Sequence, residues 1–112
     1  MAGRDAQIAV YLMASARNGT LYVGVTSALW TRVQQHKRGV FDGFSKKYGC
    51  KTLVWYESHA TMLEAIARET QIKGWRRAWK LALIERDNPQ WRDLSEGWFD
   101  EPEGPLSWLQ RS

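Results

Sequence analysis

Five side chains in this sequence have types and spacing that suit chemistry on one another: Tyr11, Tyr22, Arg32, His36 and Glu69. The two tyrosines sit one in each of two short apolar runs, so they read either as a packed cross-strand pair or as two phenols presented at a site. Gly24 lies in the second run, where a glycine weakens a strand unless something approaches the backbone closely. Arg32 and His36 are four residues apart, which puts them on one face of a helix. The plain readings are a surface charge for Arg32 and a neutral polar residue near a helix end for His36. Glu69 falls on a helical stripe with Ala65 and Ile66 one turn before it and Ile72 one turn after. A carboxylate facing inward needs a partner, a metal or a shifted pKa. An i,i+4 pair with Lys73 is the plain alternative, and it contributes only a few tenths of a kcal/mol.

These residues need elements to hold them. Ile8 to Met13 and Leu21 to Val25 are rich in β-formers, and Asn18-Gly19 between them is a strong turn signal, so the two runs predict a hairpin. Ser27 as N-cap and Gly39 just past the last turn bound a helix with Leu29 and Val33 on its buried stripe. Residues 40–50 read as a loop in which Lys46, Lys47 and Tyr48 interleave charge with aromatic surface, a pattern suited to nucleic acid. Residues 51–58 are continuously apolar at their centre and predict a third, central strand. Thr61 and Glu64 form a capping box that starts the helix carrying Glu69. Gly74 is expected to bend or interrupt that helix. A further helix over 77–86 has Trp79, Leu83 and Ile84 as core candidates and Arg76, Arg77 and Lys80 as a basic strip. Pro89 ends it, and Trp91 and Leu94 read as anchors.

The chain has 112 residues, 44% of them hydrophobic, which suits one globular domain with one core. Its net charge of +4 is uneven: +7 over residues 1–93 and −3 over 94–112. With a pI near 9.5, the basic body points to a polyanionic partner, nucleic acid first. A single cysteine, Cys50, excludes an internal disulfide and a Cys-rich metal site. No signal peptide or membrane-length apolar run is apparent, so the expectation is a cytoplasmic protein without a membrane partner. Residues 1–94 read as one domain. Residues 95–112 read as an acidic, Trp-containing tail docked on it.

The series Tyr11, Tyr22-Val23-Gly24, Arg32, Glu69 and Asn88, in this order, resembles the GIY-YIG nuclease family. Ala9-Val10-Tyr11 stands for the first motif of that name and Tyr22-Val23-Gly24 for the second. The compact size, RETQIKGW and NPQW are most similar to the small stand-alone bacterial (YhbQ-like) members. The chain is also similar to the N-terminal nuclease domain of excinuclease C. Ala9 replaces Gly, and Val10 and Val23 replace Ile, which keeps both strands apolar. Val25 stands where some members have lysine, and His36 where some have tyrosine.

The resemblance implies an α+β fold: a small three-stranded antiparallel sheet flanked by helices in the order β-β-α-β-α-α. It implies a metal-dependent endonuclease acting on nucleic acid, with DNA preferred, in repair or recombination-type processing. In that reading Glu69 holds Mg²⁺ or Mn²⁺, and Arg32 stabilises the phosphate. Tyr11 is the general base, and Tyr22 orients substrate. His36 relays a proton or contacts phosphate, Asn88 shapes the site, and Gly24 lets the backbone come close. Lys46, Lys47, Arg76, Arg77 and Lys80 would carry the nucleic acid. A non-catalytic binding module of the same fold, or a protein-interaction domain working through the Trp-rich tail, are the competing classes. Oligomeric state is open between monomer and weak dimer.

Overall fold

The computed structural model describes residues 7–99. Strands β1 (Ala9–Ala14) and β2 (Leu21–Thr26) form the hairpin. Helices α1 (Leu29–Arg38) and α2 (Gly43–Tyr48) follow, then β3 (Thr52–Ser58), α3 (Met62–Lys73) and α4 (Arg77–Asp87). The sheet is three-stranded, antiparallel and ordered β2-β1-β3. The fold class is the α+β arrangement expected, with α2 added where the sequence read as a loop. Six residues are too few for an apolar stripe to stand out. Asp42 starts this helix by accepting from the Phe44 and Ser45 amides, and Gly49 ends it at φ +64°.

The central strand is β1 rather than β3. All six residues of β1 are buried, because strands flank it on both edges and helices cover both faces. Alternation along β1 sends Val10, Leu12 and Ala14 to one face, where they meet Val23, Ala65, Ile72, Leu83, Ile84 and Trp91. Ala9, Tyr11 and Met13 go to the other, where they meet Leu29, Val33, Cys50 and Leu53. So α3 and α4 lie on one face and α1 on the opposite one. β3 looked central because its apolar run is covered by more than the sheet: Leu94 donates its amide to the Leu53 carbonyl at 2.7 Å. An irregularity at Leu12/Met13 leaves Val54 as the extra residue of β3.

Local signals account for most boundaries. The positive φ of the hairpin turn falls on Asn18, at 59°, and Gly19 donates back to the Ala16 carbonyl at 2.9 Å. Helix α1 starts at Ala28 without a side-chain cap; Thr26 Oγ1, not Ser27, accepts from the chain there, at the Ala28 amide. Gly39 closes α1 in the left-handed conformation as expected. Thr61 caps α3 by accepting from the Glu64 amide at 3.2 Å. Helix α3 is docked by Ala65 and Ile72. A fully buried isoleucine is worth about 1.5–3 kcal/mol, several times an exposed i,i+4 ion pair. Ile66 and Trp79, expected inside, are 45% and 52% exposed. Trp98 and Phe99 of the C-terminal segment pack against the α1 face, Phe99 lying 4.9 Å from Trp30 between ring centres. Trp108 and Leu109 lie outside the described residues. Among the described residues no helix is long and apolar enough to cross a membrane.

Candidate active site

β2 is one of the two edge strands of the sheet, and the candidate residues gather around it. Tyr11 comes from the α1 face of β1, Tyr22 from β2, and Arg32 and His36 from α1. Buried within this group, the Tyr11 hydroxyl meets His36 Nε2 at 2.9 Å. His36 Nδ1 meets Ser45 Oγ at 2.6 Å, and Ser45 Oγ donates to the Cys50 carbonyl at 3.3 Å. Serine has one hydroxyl proton. With that proton on Cys50, Ser45 accepts from a protonated Nδ1 and the Nε2 lone pair accepts from Tyr11; with it on Nδ1, the shorter contact, the direction reverses.

Electrostatics keep this chain neutral. Burial lowers the His36 pKa from 6.5 to about 4, and the neighbouring Arg32 guanidinium adds to the effect. Burial also drives the Tyr11 phenol well above its usual range; Tyr22 adds to the rise and Arg32 opposes it. Tyr22 is pushed up to about 12 by burial first and then by Asp42, whose Oδ2 accepts from its hydroxyl at 3.3 Å. Aromatic rings wall the site: His36 lies 4.9 Å from both Tyr22 and Phe41 between centres. The Arg32 guanidinium sits 4.2 Å above the Phe41 ring, with Nε held by Gln35 at 3.1 Å.

Glu69 approaches from the other face. Its side chain is 14% exposed and pairs with Lys73 at 2.8 Å. Glu69 sits on α3, which packs against β1 and β2, and its charge raises the Tyr22 pKa while that of Arg32 lowers it. Among the described residues no group of three or more His, Cys, Asp or Glu side chains could cage a metal. A lone, partly open carboxylate fits a hard cation completed by water and substrate oxygens, as magnesium prefers. It does not fit a zinc-type site.

Other expected site residues are placed elsewhere or used otherwise. Asn88 is buried, and its amide is spent on backbone: Nδ2 donates to the Val54 and Arg92 carbonyls, and Oδ1 accepts from the Arg92 amide. It braces the 88–92 turn against β3. Arg77 clasps the hairpin turn, donating to the Asn18 and Gly19 carbonyls at 2.8 and 2.7 Å. Arg76 lies over the Trp79 ring, and Lys80 is partly buried. Lys46 and Lys47 are exposed on α2. The space expected beside Gly24 is taken by Tyr11, whose ring lies against it across the β1/β2 pair. Ser45 and Asp42 were not singled out by sequence. Nothing but their place in a Gly-flanked, basic stretch marked them.

Residues 7–82 match the GIY-YIG catalytic domain. The chain belongs to the GIY-YIG family. It is similar to UPF0213 proteins of Staphylococcus aureus, among them those of strains Mu50, N315 and MW2. Each is 36% identical over 76 residues, covering 68% of this chain and 92% of the relative. No solved structure matches. The family places the chain among nuclease-type proteins, and the matched span takes in Tyr11, Tyr22, Arg32, His36 and Glu69 but stops before Asn88.

Proposed function

We propose that this protein is a metal-dependent endonuclease that hydrolyses phosphodiester bonds, with DNA as its substrate. The observation that carries the reading is the buried Tyr11–His36–Ser45 chain lying beside Arg32 and Tyr22, with Glu69 on the helix packed against β1 and β2. A phenol at its reference pKa is about 4 kcal/mol from its ionised form at pH 7, and Tyr11 is further away still. The neutral pair avoids a free phenolate, although a proton left on His36, with its pKa of about 4, costs a similar ~4 kcal/mol at pH 7, so the proton moves only as attack proceeds. In this reading Tyr11 Oη, sealed from solvent in the structure, takes the proton of a water delivered with the substrate while passing its own to His36 Nε2. Ser45 holds the opposite ring nitrogen and keeps Nε2 aimed at the phenol. Arg32 pairs with the non-bridging oxygens as charge builds on phosphorus. Tyr22, held by Asp42, orients the phosphate from the strand edge.

Glu69 would hold Mg²⁺ or Mn²⁺ in exchange for Lys73. When bound, such an ion supplies positive charge to the phosphate and to the leaving oxygen. Exposed lysines on α2 would neutralise flanking phosphates. Repair or recombination-type processing suits a small nuclease domain with no added specificity module among the described residues. The test is nicking of supercoiled, branched and single-stranded DNA with and without Mg²⁺, using the wild type and Glu69→Gln. Cleavage that needs the ion and is lost in a folded Glu69→Gln supports the reading. Absence of cleavage on every substrate by the wild type overturns it.

A further inference from the structure

Helix α2 presents two aromatic side chains that the core does not absorb. Phe44 is 48% exposed and Tyr48 45% exposed. They are four residues apart, with ring centres 4.8 Å from each other. Phe44 lies 6.5 Å from the Tyr22 ring, so the pair borders the candidate active site directly. Lys46 and Lys47 are exposed on the same turn, and the Lys47 ammonium sits 5.4 Å from the Tyr48 ring centre. The nearest acid on this segment, Asp42, is engaged by Tyr22 and by the α2 amides.

Resting on the nuclease reading, we propose that Phe44 and Tyr48 form a stacking platform for an unpaired nucleobase of the substrate strand, next to the phosphate held at Tyr22 and Arg32. Inside a duplex both faces of a base are covered by its neighbours. A base can lie on a protein aromatic ring only where the strand is single or the base is unstacked. Lysines interleaved with such rings neutralise the phosphates of the same strand, which is the pattern of single-strand binding surfaces. Ser45, between the rings in sequence, anchors the platform to His36. A base seated on α2 thereby bears on the residue that orients the proton chain. The site then selects strands with an unpaired nucleotide at the cut, such as single strands, flaps or junctions, over continuous duplex.

The test measures binding of the full-length protein, without divalent cation, to a single-stranded DNA oligonucleotide and to the duplex of the same sequence. A 2-aminopurine base is scanned along the single strand, because its fluorescence is quenched on stacking. The wild type should favour the single strand and quench the probe at one position. Phe44→Ala/Tyr48→Ala should bind the single strand about tenfold more weakly or worse, lose the quenching and leave duplex binding unchanged. Phe44→Leu and Tyr48→Leu keep an apolar volume but no π-face, so each should lose quenching while retaining the wild-type melting temperature. Equal wild-type binding of both oligonucleotides, or single-strand preference retained in the double alanine variant, overturns the platform. Cleavage is read separately with Mg²⁺: single-strand preference without cleavage supports the platform and overturns the nuclease reading alone.

Discussion

A methyl group on Gly24 would sit 2.5 Å from the Tyr11 hydroxyl oxygen and 2.5 Å from the ring carbon that bears it. The two residues face each other across the β1/β2 pair, and Tyr11 is fully buried, so the ring cannot swing away. Gly24 is thus the floor on which the phenol lies. Gly24→Ala should destabilise the fold by about 1–3 kcal/mol, as overpacking does, and should displace the Tyr11 hydroxyl from His36. A lowered melting temperature together with lost cleavage is the expected outcome. An alanine variant with wild-type stability and turnover would remove Gly24 from the support of Tyr11.

Much of this fold was legible because its signals are local. The hairpin turn at Asn18, the cap at Thr61 and the left-handed Gly39 each act within a few residues. The candidate site was legible in part: Tyr11, Tyr22, Arg32 and His36 do come together, and Glu69 is largely buried on a helix packed against β2. What sequence could not show was how space and hydrogen bonds are allotted between distant segments. Gly24 reads as an opening, yet Tyr11 fills it. Asn88 and Arg77 read as functional polar groups, yet backbone carbonyls brought near by the tertiary fold occupy them. Ser45 carries no pattern of its own, and its role exists only because α2 folds back under His36. Trp79 and Ile66 show the opposite limit, since helical periodicity tells which residues share a face but not which face is covered.

Acid should unfold this protein through His36. Its pKa falls from 6.5 to about 4 on burial in the folded state, so between those values the unfolded chain binds the extra proton. Stability is therefore complete above the unfolded pKa and is lost as pH falls through that window, by up to about 3 kcal/mol. Denaturant melts at a series of pH values should show this slope. His36→Gln has no group titrating there and should flatten it; an unchanged slope in that variant would assign the acid sensitivity to another group.

The Glu69–Lys73 pair at 2.8 Å sets up a competition. A cation can use the carboxylate only by displacing the ammonium. Lys73→Met should lower the Mg²⁺ concentration needed for half-maximal cleavage, and Glu69→Gln should abolish the metal response in a protein that still folds. The titration of rate against Mg²⁺ checks both. A higher Mg²⁺ requirement in Lys73→Met would mean that the lysine serves the substrate instead.

Two basic groups should behave differently although both looked like nucleic-acid contacts. Lys46 and Lys47 are exposed, so Lys46→Ala/Lys47→Ala should weaken binding and reduce the salt slope by about 0.7–0.9 per lost phosphate contact. Arg77 holds two carbonyls of the hairpin turn. Arg77→Ala should instead lower thermal stability, by about 1–3 kcal/mol for charged hydrogen bonds, and leave the salt slope intact. A salt slope that falls in Arg77→Ala at unchanged stability would return Arg77 to the binding surface.

The Tyr11–His36 contact makes a sharper prediction about catalysis. If the phenol works by handing its proton to a neutral imidazole, the two residues are one device. Tyr11→Phe and His36→Gln should each reduce turnover by about 10²–10⁴, with a smaller effect on substrate affinity. The double variant should be no worse than either single one. Tyr22→Phe should lose less, since it removes one orienting hydrogen bond. The pH dependence separates this device from a free phenolate. Neutral His36 is already complete well above its pKa of about 4, so wild-type turnover should be level between about pH 6 and 9. A phenolate base would make the rate climb tenfold per pH unit across that range, because the Tyr11 pKa lies above it. Ser45→Ala supplies the last discriminator. It leaves Tyr11 and His36 in place but frees Nδ1, so turnover should fall while affinity for DNA is kept. A climbing profile that disappears in Tyr11→Phe, together with full turnover in Ser45→Ala, would replace the proton chain by a directly ionised Tyr11.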